Sequence, residues 1–180
     1  DHLLFVFGLM LLVKKRGGAR PVATLLQTIT AFTVAHSVTL AMAALGLVRA
    51  PPAPIEAMIA LSIFFLAVEL TRRQTPTLGE APRRPPWIVA FAFGLLHGLG
   101  FAGALSSLGL PRDDIPLSLL MFNLGVEAGQ IGFVLVMAIG LGLADKALPR
   151  APRWVAKGPA YILGSFAAYL CLSRVAAFFA

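Results

Sequence analysis

The chain has three histidines, His2, His36 and His97, and each lies in an apolar run rather than in a polar stretch. An imidazole nitrogen ligates transition metals and exchanges a proton near neutral pH. Few other polar groups share those runs. Asp1 adjoins His2, and Thr30, Thr33 and Ser37 flank His36. Ser62, Glu69, Asn123, Glu127 and Gln130 complete the set. A lone histidine in a helix is more often packed than ligating. Three of them in three runs, with carboxylates alongside, point to a shared site. Imidazole with carboxylate and amide oxygen suits Ni, Co or Zn, whereas Mg and Ca prefer oxygen alone. The single Cys171 and five scattered methionines do not make a soft Cu(I) path. The candidate ligands are therefore Asp1, His2, His36 and His97, with Glu127 and Asn123 completing or relaying the site.

The elements that must hold these groups are membrane helices. Of 180 residues, 58% are hydrophobic and only 13% are charged, against roughly 25% charged in soluble domains. The fold class is all-α: a polytopic bundle of about six transmembrane helices in a single domain, 1–180. The spans fall at roughly 1–14, 22–48, 52–71, 87–109, 115–143 and 160–179. The chain starts at Asp1 inside an apolar run, so the first helix is expected to begin upstream, beside an extracytoplasmic N-terminal region.

Helical phase gathers the polar groups. At ~100° per residue, Asn123, Glu127 and Gln130 fall in a stripe about 60° wide, and Thr30, Thr33, His36 and Ser37 fall within about 120°. Lipid offers no hydrogen-bond partner, so these faces turn inward. Counted from the basic ends, His2, His36 and His97 lie at depths of ~18, ~22 and ~15 Å.

Charge sets the expected orientation. Twelve of the fifteen lysines and arginines lie in the first, third and fifth loops, from Lys14 to Arg20, Arg72 to Arg84 and Lys146 to Lys157. The second loop has Arg49 and the fourth Arg112. By the positive-inside rule the odd loops are cytoplasmic and both termini extracytoplasmic. The net charge of +7 thus faces lipid headgroups and marks no nucleic-acid partner.

Other features have structural readings. Glu69 precedes Arg72 and Arg73 by one turn and reads as an interfacial ion-paired carboxylate. Glu56 complements the positive end of the third helix, and Trp87 and Trp154 anchor the interface. Gly94 and Gly98, and in the fifth helix Gly125, Gly129 and Gly132, form small-residue stripes that permit close packing. With Gly100 and Gly103 they also suit a kinked or broken fourth helix that frees carbonyls beside His97. His2 to Gly8 can be laid over His97 to Gly103, which fits a 3+3 inverted repeat.

Four segments in order are familiar: Asp1-His2-Leu3-Leu4-Phe5, Thr30-Ala31-Phe32-Thr33-Val34-Ala35-His36-Ser37, Phe93-Gly94-Leu95-Leu96-His97-Gly98-Leu99-Gly100-Phe101 and Phe122-Asn123-Leu124-Gly125-Val126-Glu127. Together they resemble the HupE/UreJ family of bacterial membrane proteins over nearly the whole chain. The resemblance implies a nickel or cobalt permease of the bacterial cytoplasmic membrane, often linked to hydrogenase or urease maturation. The family's first-helix motif runs histidine, five spacers, Asp-His, of which Asp1 and His2 are present here. Its second motif has two histidines four apart and then a glutamate. His97 matches the second histidine, while Phe93 and Gly100 stand in the other two places.

Three function classes remain open on sequence. The first is a secondary transporter for a divalent metal, with the ion as substrate and a metal-delivery partner or extracytoplasmic region upstream. Protonation of histidine would release the ion. The second is an intramembrane zinc hydrolase in which three histidines hold the metal, Asp1 or Glu127 is the base and Ser37 polarises a carbonyl. The third is an accessory membrane subunit whose polar residues bind helices together.

Overall fold

In the computed structural model the described residues are 1–17, 19–72, 85–107, 115–147 and 153–177. They form six helices and no strand: α1 His2–Arg16, α2 Pro21–Ala44, α3 Pro52–Thr71, α4 Pro86–Ser107, α5 Ile115–Ala147 and α6 Arg153–Ala176. Four of them, α2, α3, α5 and α6, are each long and apolar enough to cross a membrane. The architecture is that of a helical membrane bundle.

The short α1 is its central strut. It touches all five other helices, and Phe5, Val6, Leu9, Leu12 and Val13 are buried on several sides of it. One apolar core joins Phe5, Leu9 and Leu12 to Phe32, Ile63, Leu66, Ala90 and Leu163. A smaller one joins Val6 and Met10 to Ile29 and Val134. The outer faces stay apolar: Leu120, Leu124, Leu135, Val136 and Ile139 of α5 and Ile162 and Leu172 of α6 are all exposed. That inside-out pattern is stable only where lipid replaces water.

The most extensive helix pairs are α2 with α4 and α3 with α6. The first depends on glycine. A Cβ on Gly94 would strike the Phe32 carbonyl, and one on Gly98 would strike the His36 carbonyl and the Thr39 hydroxyl. The two backbones are therefore in contact. The α5 stripe behaves differently, because Gly125, Gly129 and Gly132 each have nothing within 4 Å of a would-be Cβ. Nor is α4 broken: it is one continuous helix through His97, packed against α2. The packing does not repeat between halves among the described residues. For example, α1 contacts α3, but α4 does not contact α6.

Three helix ends differ from the sequence reading by four residues or more, and one of them is α5, which runs on to Ala147. Helix α2 stops at Ala44 because Gly46 takes a positive φ of 73°. There the Leu47 amide donates to Met42 O at 2.9 Å and the Gly46 amide to Ala43 O at 3.0 Å, the paired bonds of a Schellman stop. Helix α6 starts at Arg153, ahead of Pro159, which lies within it.

At the basic end, Lys15 of α1 caps α3. Its Nζ donates to the carbonyls of Glu69 at 3.1 Å, Leu70 at 2.7 Å and Arg72 at 2.5 Å. Glu69 pairs with Arg72 at 3.4 Å, as its sequence position suggested, and also with Arg16 at 3.3 Å. At the other end Glu56 of α3 pairs with Arg174 of α6. Lys15→Met is expected to fray the last turn of α3 and cost about 1 kcal/mol, since charged hydrogen bonds to orphan carbonyls are lost in a partly solvated place. Faster amide exchange over residues 68–72 than in wild type checks this; unchanged exchange removes the cap.

Candidate functional site

The three histidines come together where α1, α2 and α4 converge. His2 opens α1, so its ring emerges at the end of the central strut. His36 and His97 are levelled with each other by the backbone contact at Gly98, which seats α4 on the His36 carbonyl. The His2 ring centroid is 4.8 Å from that of His36 and 4.9 Å from that of His97, with both pairs edge-on at 89° and 90°. Nε2 of His2 lies 3.4 Å from Nδ1 of His36. His36 is 1% exposed and His97 0%.

Aromatic rings wall the cluster. Phe5 and Phe32 lie 5.0 and 5.2 Å from His97, and Phe32 stacks on His36 at 6.2 Å. Beyond them, a cavity of about 370 Å³ opens between α1, α2, α4 and α5, bounded by His2, His36, Phe101, Phe122, Gln130 and Phe133. Phe101 and Phe122 meet at 4.9 Å on one side of it.

The other polar groups are distributed unevenly. Ser62 Oγ lies 3.1 Å from His97 Nε2 and donates to the Ile59 carbonyl at 2.6 Å. Thr33 Oγ1 lies 3.1 Å from the Gln130 amide oxygen and 3.2 Å from the Ile29 carbonyl. Glu127 accepts from Thr30 Oγ1 at 3.2 Å, on the α2 side of α5. Asn123 Nδ2 donates to the Leu119 carbonyl of its own helix at 2.8 Å. Asp1 caps α1 with no side-chain capping bond and is exposed. Of the six candidate ligands, then, the histidines cluster, Asp1 adjoins them in sequence, and Glu127 and Asn123 hold bonds of their own. Helices α4 and α5 have no backbone approach among the described residues, so His97 and Glu127 are not drawn together by their glycines.

Around the histidine cluster and its cavity, four buried side-chain atoms have no hydrogen-bond partner among the described residues: His36 Nε2, His97 Nδ1, Asn123 Oδ1 and Gln130 Nε2. Each such atom costs about 1–3 kcal/mol, which a bound ligand would recover. No three His, Cys, Asp or Glu side chains among the described residues already enclose a single ion. A complete coordination shell therefore needs a rotamer change or donors of another type, and Gln130 on the cavity wall is one. Gln130 and Ser62 were visible in the sequence only as polar residues in apolar spans. Their burial, 2% and 1% exposed, is what distinguishes them.

The positions where the resembling family has other polar groups are apolar here. Phe93 packs on Phe5 at 5.6 Å and on Phe65 at 5.7 Å. Gly100 lies against Ile59, whose side chain a Cβ would strike.

A family model described as HupE / UreJ protein matches residues 1–174, nearly the whole chain. Comparison with the curated proteins and with the solved structures gives no match.

Proposed function

The chain belongs to the HupE/UreJ family, and on that premise we propose that it is a permease that passes a divalent transition metal, nickel or cobalt first, through its histidine cluster. The observation that carries this reading is the convergence of three histidines from three helices beside a cavity, with His36 Nε2 and His97 Nδ1 unpartnered. Two open imidazole nitrogens supply borderline ligands, the kind that nickel, cobalt and zinc take. Family membership and the apolar helices support a multi-pass membrane protein that transports metal in general. The choice of metal and the assignment of ligands are part of the proposal. So are the bacterial cytoplasmic membrane and the extracytoplasmic termini.

In this reading His2 receives the ion at the outer end of α1 and passes it to the open Nε2 of His36, the ring it faces at 3.4 Å. His97 and the cavity-wall amide complete the shell, and Phe5 and Phe32 exclude water around it. An imidazolium cannot ligate, so proton and metal compete for each ring. Binding should therefore weaken as pH falls from ~8 through the acid range in which the rings take up protons. The direct test is uptake of nickel, cobalt and zinc by proteoliposomes, measured across that range. Uptake equal to that of protein-free liposomes would end the transport reading.

Orientation has its own test. The loop that holds Arg72 and Arg83 is expected to be cytoplasmic, because the basic residues concentrate in the odd loops. The ends of α1 and α3 that Lys15 ties together are at that face. A cysteine placed at residue 78, outside the described residues, should resist an impermeant thiol reagent in intact cells and react after permeabilisation. Labelling in intact cells would invert the topology.

A further inference from the structure

A hydroxyl group has one proton and can accept as well as donate. At Ser62 that proton has a clear destination. The Ile59 carbonyl, 2.6 Å away, can only accept, and it is the nearer of the two partners. The Ser62 oxygen therefore faces His97 Nε2, at 3.1 Å, as an acceptor. The imidazole must then carry its hydrogen on Nε2. In the neutral ring this leaves the lone pair on Nδ1, and Nδ1 is one of the buried atoms without a partner.

Thr33 repeats the arrangement on α2. Its hydroxyl lies 3.2 Å from the Ile29 carbonyl and 3.1 Å from the Gln130 amide. One proton cannot serve both. With the amide oxygen toward Thr33, Gln130 Nε2 is left buried and unpartnered in a residue only 2% exposed. Exchanging the amide's oxygen and nitrogen adds a bond, because an amide N–H can donate to the Thr33 oxygen while that hydroxyl donates to the carbonyl. Thr33 then donates to Ile29, Nε2 donates to Thr33, and the amide oxygen takes the buried, unpartnered place, in a residue that lines the cavity together with His36.

We infer that Ser62 and Thr33 are positioning residues that turn His97 and Gln130 so that each offers a bare acceptor, Nδ1 and the amide oxygen, to a cation, which makes Gln130 a further ligand. Both hydroxyls work alike: bonded to a carbonyl of their own helix, they can only accept from the neighbouring ring or amide. Acceptors in a buried apolar setting favour a cation over an anion or a neutral hydrogen-bond acceptor. The inference deepens the permease reading and rests on it for the nature of the ligand.

The experiment uses the full-length protein in liposomes, with ¹⁵N-labelled histidine and ¹³C-labelled glutamine. In metal-free protein, His97 is expected to show a protonated Nε2 and an unprotonated Nδ1. The opposite tautomer overturns the inference without any variant. Ser62→Ala should then give a mixture of the two tautomers; a single unchanged tautomer removes Ser62 as the positioning group. Addition of zinc should move the Gln130 side-chain carbonyl carbon resonance, and Gln130→Leu should weaken cobalt binding at least tenfold. An unmoved resonance, or a Leu variant that binds cobalt as well as wild type, overturns the amide orientation. If wild type binds neither zinc nor cobalt, the permease reading fails and Gln130's role as ligand falls with it. The metal-free tautomer still decides the role of Ser62.

Discussion

His36→Ala is expected to abolish metal binding while the protein remains folded. His36 is the deeply buried member of the cluster that also borders the cavity: its Nδ1 faces His2 at 3.4 Å and its Nε2 has no partner among the described residues. Removing a residue that only orients a ligand weakens metal sites by about 10–100-fold. Removing a ligand itself should exceed that, so affinity should fall by more than about 100-fold. The cavity left by the ring adjoins one that exists already, which softens the structural penalty. Isothermal titration with nickel and cobalt, paired with a thermal melt, separates the two effects. A second substitution sharpens the test. If His36 and His97 ligate one ion, His97→Ala and the double variant should show nearly the same defect as His36→Ala, because either loss already disables the site. Additive and mild losses would mean that the rings serve packing alone. Glu127→Gln should be milder than either, since Glu127 bonds Thr30 rather than a histidine.

The largest effect on folding is expected at Gly98. A side chain there meets the His36 carbonyl, the Thr39 hydroxyl and the Leu40 amide, two of them backbone groups that cannot rotate away. Gly98→Val must push α4 off α2, the most extensive contact in the bundle. The cost should reach about 3 kcal/mol, the upper part of the range for overpacked cores. His36 and His97 would separate in the same movement, so metal binding should fail along with stability. Gly125→Val is the matched control: a Cβ at Gly125 has nothing within 4 Å. Its change should stay within about 0.5 kcal/mol, as for surface positions. Melting of both variants in detergent against wild type reads the difference. Equal melting temperatures would show that α2 and α4 do not meet through this glycine.

That contrast also marks what sequence could and could not convey. Gly94 and Gly98 in one helix, and Gly125, Gly129 and Gly132 in the next, make the same pattern on paper. Both satisfy the small-residue rule for close approach. Only one pair is used, because a stripe of glycines says that a helix can be approached and not by which neighbour. The same limit applied to Glu127. Its phase placed it with Asn123 and Gln130 on an inward face of α5; the structure buries Gln130 against Thr33, whereas Glu127 is half-buried and bonds Thr30, which is exposed. The partner turned out to be α2, not the histidine of α4.

The sequence by itself determined the helical class, the number of helices and most of their limits, because apolar length, loop charge and breakers act locally along the chain. It also determined that the histidines lie within apolar spans, where only inward faces satisfy their hydrogen bonds. Tertiary structure decided the rest. It chose α1 as the strut, put Lys15 under the end of α3, and placed Ser62 of α3 against His97 of α4, 35 residues away. Helix periodicity fixes which residues share a face. Which faces meet depends on the fit of side chains between helices, and in lipid that choice depends on shape and polar pairing rather than on the burial of apolar surface from water.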